Sequence, residues 1–172
     1  MSKILIAYFS HDGEAYVGGE IKALKVGNTR VAAQEIARMT GGDLYRIETV
    51  EEYPFVYSDT TAKAKVEKQS GARPALKNPM PDIAQYDSVI LCYPNWWGTC
   101  PMAVFTFLES GSFDGKNIAP LCTNEGSAMG VSEVDIRKAC PRAKLLKGLP
   151  ITGSKVAGAT RQIESWLRGM KL

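Results

Sequence analysis

The 172-residue chain has one histidine, His11, and four cysteines, Cys92, Cys100, Cys122 and Cys140. No two cysteines form a CxxC pair, and the histidine does not stand at ligand spacing from them, so the cysteines read as small buried hydrophobes rather than metal ligands or disulfides. Cys100, which follows a tryptophan-rich loop, is expected to be the most exposed of the four. A lone histidine in a polar loop reads as solvated, and no Ser/His/Asp arrangement can be assembled around it. The sequence lacks GxxxxGK[ST], and no GxGxxG follows the first apolar run, so ATP hydrolysis and Rossmann-type NAD binding lose support. No apolar run approaches bilayer length, and the first one is cut off by Tyr8-Phe9-Ser10-His11-Asp12 too early for a signal peptide, so a cytoplasmic setting is expected. Lys63, Lys65, Lys68, Arg73 and Lys77 crowd one segment without interleaved aromatics. They read as a solvated helix face rather than a nucleic-acid surface.

What remains is an ordinary globular composition. Hydrophobic residues make up 45 %, charged residues 23 %, and the formal net charge is +3. The length suits one domain spanning 1–172. Strand-like runs occur at 3–9, 44–48, 88–93, 117–122 and 144–151. The run Ser88-Val89-Ile90-Leu91-Cys92-Tyr93 is continuously apolar, as a strand buried on both faces must be. Helical patterns fall at 29–40, 60–69, 101–109, 132–139 and 155–170. Gly41-Gly42 stops the first, Pro101 opens the third, Ser132 with Asp135 suggests a capping box, and Ala159, Ile163, Trp166, Leu167 and Met170 make a stripe on the last. Strands alternating with helices predict an α/β fold with a parallel sheet covered on both sides.

Ligands of such sheets bind beyond the carboxyl ends of the strands. Three loops there have unusual compositions. The first leads from Ser10 to Gly27-Asn28-Thr29 at a helix start, a place where free backbone N–H groups favour an anion. Sixteen residues, His11 to Val26, separate its two halves. The second, Pro94-Asn95-Trp96-Trp97-Gly98-Thr99, carries adjacent indoles that must diverge and can offer a flat surface to a planar ligand. The third, Thr123-Asn124-Glu125-Gly126-Ser127-Ala128-Met129-Gly130, is small and polar and can present backbone groups to a polar ring edge.

Taken together, the three loops resemble those of the flavodoxin family over nearly the whole chain. Ser10, Gly27, Asn28 and Thr29 match its Ser/Thr-x-Thr-Gly-Asn-Thr phosphate loop, here with an insertion. Tyr93 to Pro101, Phe107-Leu108-Glu109, Phe113 to Lys116 and Cys122 to Ser127 are similar to a bacterial flavodoxin-like branch. The resemblance implies a flavodoxin-like three-layer sandwich around a five-stranded parallel sheet in order 2-1-3-4-5, and FMN as cofactor. It implies the phosphate on Ser10, Gly27, Asn28 and Thr29, with the ring between Pro94, Asn95, Trp96, Trp97 and Gly98 on one side and Thr123, Asn124, Glu125, Gly126 and Ser127 on the other. It also implies that a peptide near Trp97-Gly98 turns its carbonyl toward the ring, and that Glu125 near the ring disfavours a negatively charged reduced form.

The expected role is electron transfer with a redox partner protein, either a reductase or an acceptor. The alternatives are an FMN-dependent NAD(P)H:quinone or other small-molecule reductase using a small-molecule acceptor, and a non-catalytic flavin-binding module. No metal, nucleic acid or membrane span is expected, and catalytic residues are not assigned. The insertion 11–26 is the segment expected to set this chain apart.

Overall fold

The computed structural model describes residues 2–170 and Leu172. Its centre is a parallel sheet in which β1 (Ile4–Tyr8) lies between β4 (Asp43–Arg46) and β5 (Ser88–Pro94), and β6 (Asn117–Asn124) follows β5. The far edge is shared by two short strands. β7 (Lys144–Leu145) pairs with the start of β6 and β8 (Leu149–Thr152) with its end. Counting β7 and β8 as one broken fifth strand, the order is the expected 2-1-3-4-5.

The alternation of side chains across the pleat builds two cores from the same strands. Leu5, Ala7, Phe9, Val89, Leu91 and Tyr93 face one layer. There they meet α3 (Met102–Glu109) and α4 (Ser132–Ala139). Ile6, Tyr8, Ile90, Cys92, Ala119 and Leu121 face the other. Their partners are Ala32, Ala33 and Ile36 of α1 (Asn28–Thr40) and Ile163 of α5 (Thr160–Gly169). Burial on both faces explains why the β5 run is apolar without interruption. α1 ends where Gly41 takes φ 68° and returns its N–H to the Ala37 carbonyl, a left-handed cap that glycine adopts without strain. Among the described residues no helix is long and apolar enough to cross a membrane.

α2 (Tyr57–Ser70) differs from the other helices. It buries only Thr60 and Ala64 and belongs to neither core. It packs instead against α3 and a hairpin formed by β2 (Gly13–Val17) and β3 (Glu20–Leu24). That hairpin is the insertion. Its two-residue turn, Gly18-Gly19, has φ 62° and 92°, the pair of positive values that a primed hairpin turn requires.

Four expectations change. The run 144–151 is two strands, because after the Leu146 N–H donates to the Ile118 carbonyl, Lys147-Gly148 leaves the ladder. The last helical stretch opens as a 3₁₀ segment, Gly153–Gly158, before α5 begins. Ser132 does not cap α4; its hydroxyl donates to the Met129 carbonyl and bonds the Tyr93 hydroxyl, while Asp135 accepts from Thr99 Oγ1 at 2.7 Å. Cys100 is fully buried, as are Cys92 and Cys122, and Cys140 is 8 % exposed. Burial pushes the Cys122 thiol up to about 12 and the Cys140 thiol up to about 11, and raises Cys92 and Cys100 as well. A thiol is reactive as its thiolate, so these groups are inert while the fold holds. We expect the native protein at pH 8 to leave a thiol-reactive dye unconsumed while the denatured chain titrates four thiols. One fast-reacting thiol in the native protein would contradict this.

Candidate functional site

β1 lies between β4 and β5, and the connections from β1 and β5 run to opposite sides of the sheet. This leaves a crevice beyond their carboxyl ends. A cavity of about 480 Å³ occupies the crevice, within the range of small-molecule sites. All three loops singled out in the sequence contribute to it. Ser10, Asn28 and Thr29 line one part, Pro94, Asn95, Trp96, Trp97 and Gly98 another, and Thr123, Asn124, Glu125 and Ser127 a third. Gly27 and Gly126 are not among the lining residues.

Gly27 stands behind the wall as the residue preceding α1, with φ −63°. A side chain there would collide with Ser10 Oγ and come within 2.5 Å of the His11 carbonyl oxygen. Glycine is therefore required by the close approach of two backbones, not by its dihedral angle. Asp12 holds the split turn together. Its Oδ1 accepts the Gly27 N–H at 2.8 Å, and its Oδ2 lies 3.1 Å from Arg46 and 3.7 Å from Arg30.

The donor inventory at this end is one-sided. Ser10 Oγ accepts the Arg30 N–H at 3.1 Å, which leaves its own O–H free to donate. Thr29 Oγ1 and Thr123 Oγ1 share one hydrogen bond of 2.7 Å, so one hydroxyl proton of the pair is left over. Val31 N–H closes the first helical turn on Gly27, and among the described residues the N–H groups of Asn28 and Thr29 find no acceptor. Two orphan amides at a helix start, with free hydroxyls beside them, suit an anion such as a phosphate without any lining cation.

The opposite wall is a tight turn. Trp96 and Thr99 exchange backbone hydrogen bonds of 2.9 and 3.3 Å around Trp97 and Gly98, whose φ values are 56° and 83°. A positive φ at tryptophan costs on the order of 1–3 kcal/mol and persists only where other contacts hold it. The two indoles diverge, as neighbours must. Trp96 turns inward and meets Phe9 and Tyr53 edge-on, each at 5.0 Å. Trp97 turns outward to α2 and is 47 % exposed.

Two walls lie outside the fourteen site residues picked from sequence. His11, Glu14, Ala15, Tyr16 and Leu24 line the cavity from the insertion, and Tyr57, Thr60, Thr61 and Ala64 from α2. Gly153 adds to the wall beside Asn28. The hairpin was recognisable in principle, since Gly18-Gly19 separates two short strand-like runs, whereas nothing local in 57–64 marks that helix as a wall. The hairpin is tied at both ends. Near its base Glu14 N–H donates to the Phe55 carbonyl, Glu14 Oε2 accepts the Tyr57 N–H, and His11 Nε2 bonds the Pro54 carbonyl at 2.9 Å. At its tip Gly18 N–H donates to Glu125 Oε2 at 3.3 Å. The Glu125 carboxylate also accepts from Ser154 N–H at 2.7 Å and from its hydroxyl at 3.2 Å. The insertion thus spans the cavity from the start of α2 to the loop after β6. His11, read from sequence as solvated, is part-buried in its wall. Among the described residues no group of three or more His, Cys, Asp or Glu could hold a metal ion.

Known structures place this architecture. The chain is similar to a Bacteroides eggerthii protein proposed to be a flavoprotein, with 28 % identity, a TM-score of 0.77, and coverage of 100 % of this chain and 99 % of the other. It shares its fold with a flavoprotein solved in complex with FMN from Lactobacillus acidophilus, at 18 % identity and a TM-score of 0.67, covering 92 % and 98 % of the two chains. Oxidised flavodoxin 1 from Bacillus cereus, at 18 % identity and a TM-score of 0.54, covers 99 % and 100 %. No curated protein matches the chain. A family model described as flavodoxin matches residues 3–170, and the chain belongs to the flavodoxin family.

Proposed function

We propose that this protein binds FMN in the switch-point cavity and uses it to transfer electrons. The observation that carries the reading is the joining, in one cavity, of a helix start with two amides unpaired among the described residues and free hydroxyls, and a tight turn that brings two tryptophans to the lining. Family membership supports the cofactor, and the Lactobacillus flavoprotein of the same fold was solved with FMN.

On this reading the amides of Asn28 and Thr29 and the hydroxyls of Ser10 and Thr29 hold the phosphate, with Gly27 permitting the close approach. The segments Pro94–Gly98 and Thr123–Ser127 flank the ring. FMN, when bound, supplies a ring that takes up and releases electrons, and the protein supplies position and electrostatics. The Phe9, Tyr53 and Trp96 cluster excludes water beneath the turn, while the hairpin shields the side above it. Glu14 and Glu125 reach the cavity with their carboxylates already engaged by N–H donors, which tempers their effect on a ring nearby. A redox partner protein exchanges the electrons. A second reading, a small-molecule reductase, is favoured by one observation: the hairpin and α2 add walls that enclose part of the cavity, where a flat acceptor would fit.

The purified protein is expected to be yellow or to become so with added FMN, and the flavin absorption should bleach on adding dithionite. A colourless protein that takes up no FMN overturns both readings. Steady oxidation of NAD(P)H by the protein alone with a quinone would select the reductase over the carrier. Thr29→Val keeps the shape of the side chain and removes its hydroxyl. A hydrogen bond to a charged group contributes roughly 1.5–3 kcal/mol, so FMN affinity should fall tenfold or more by titration, with riboflavin affinity moving less than about twofold. Equal losses would mean that Thr29 does not serve the phosphate.

A further inference from the structure

The lysines that read from sequence as a solvated face of α2 have partners. Lys63 pairs with Glu51 at 2.9 Å and stands over the Tyr53 ring. Thr61, Lys65 and Lys68 are spaced by four and three residues and so share one side of the helix. That side grips Trp97 in three places. The Thr61 carbonyl accepts the indole Nε1–H at 2.9 Å, Lys65 Nζ lies 5.2 Å from the ring centroid, and Lys68 Nζ donates to the Trp97 carbonyl at 2.6 Å. The other side of the same peptide is also taken, because the Gly98 N–H donates to Asn95 Oδ1 at 2.9 Å. The Gly98 carbonyl in turn accepts the Val131 N–H at 2.8 Å.

We infer that Lys68 is a positioning residue for the redox site: it fixes the Trp97-Gly98 peptide in one orientation and holds a positive charge against the cavity's tryptophan turn. The inference rests on the proposed FMN reading. The peptide cannot rotate without giving up both the Lys68 and the Asn95 hydrogen bonds. Both ends are therefore occupied where the family resemblance implied a carbonyl free to turn toward the ring. The charge has its own consequence. Two electrons and one proton convert the neutral oxidised ring into a reduced ring with one negative charge, and an ammonium held nearby favours the charged product. Lys68 and Lys65 are exposed, so solvent and salt screen them and the effect is moderate.

The test uses the full chain loaded with FMN and titrated with dithionite, as electron donor, against a reference dye. Lys68→Met is expected to weaken the preference for reduced over oxidised FMN by about tenfold, which for a two-electron couple is a downward shift of about 30 mV. Lys68→Arg, which keeps the donor and the charge, should stay within about twofold of the parent. If Lys68→Met leaves the potential where it was, or weakens both redox forms equally, Lys68 only braces the fold and the inference fails while the FMN reading stands. If the parent protein takes up no FMN, the FMN reading fails and carries this inference with it.

Discussion

The hydrogen bond from the Gly27 N–H to the Asp12 carboxylate is the constraint on which the site depends. Sixteen residues separate Ser10 from Gly27, enough chain for the two halves of the turn to drift apart. Asp12 pins them at 2.8 Å, and Arg46 and Arg30 neutralise the carboxylate that does so. Once the halves meet, Ser10 can accept the Arg30 N–H, and among the described residues the amides of Asn28 and Thr29, two residues of the cavity lining, are left without an acceptor. An excursion that would otherwise open the turn is thereby converted into a roof anchored on both sides.

Charge is distributed with economy. The side chains capable of full charge around the cavity are mostly occupied before any ligand arrives: Glu14 by the Tyr57 amide, Glu125 by Ser154 and the hairpin tip, and Asp12 by two arginines outside the lining. The amides and hydroxyls still free at the helix start are neutral donors. Such groups discriminate an anion by geometry, and salt screens them less than it screens exposed lysines.

The fold was largely legible because its signals are local or periodic. The unbroken apolar run Ser88–Tyr93, the Gly41 stop and the stripe on the last helix all act within a few residues of themselves. Twelve of the fourteen residues picked from sequence line the cavity, because strand ends in a parallel sheet deliver their loops to one side. Of the remaining two, Gly27 stands behind the wall, and Gly126 is an exposed turn residue with φ 121°. What escaped is what depends on distant chain. Cys100 sounds exposed beside two tryptophans, yet it turns into the core with Tyr93 and Met102. Ser132 has the spacing of a cap but is claimed by Tyr93, thirty-nine residues away. Lys65 and Lys68 have the composition of a solvated face, and only tertiary packing brings Trp97 to them.

α2 has one more consequence. With Thr60 and Ala64 as its only buried side chains, it is held mainly by the rim of the cavity: the hairpin at its start, the tryptophan turn along one side and Tyr53 with Glu67 along another. An element so lightly joined to the core opens locally at a lower free energy than the sheet does. A molecule seated in the cavity lies against Tyr57, Thr60, Thr61 and Ala64 of this helix and adds its binding energy to the ordered form. The order of this helix thus reports, on the outside of the protein, whether the cavity within is filled.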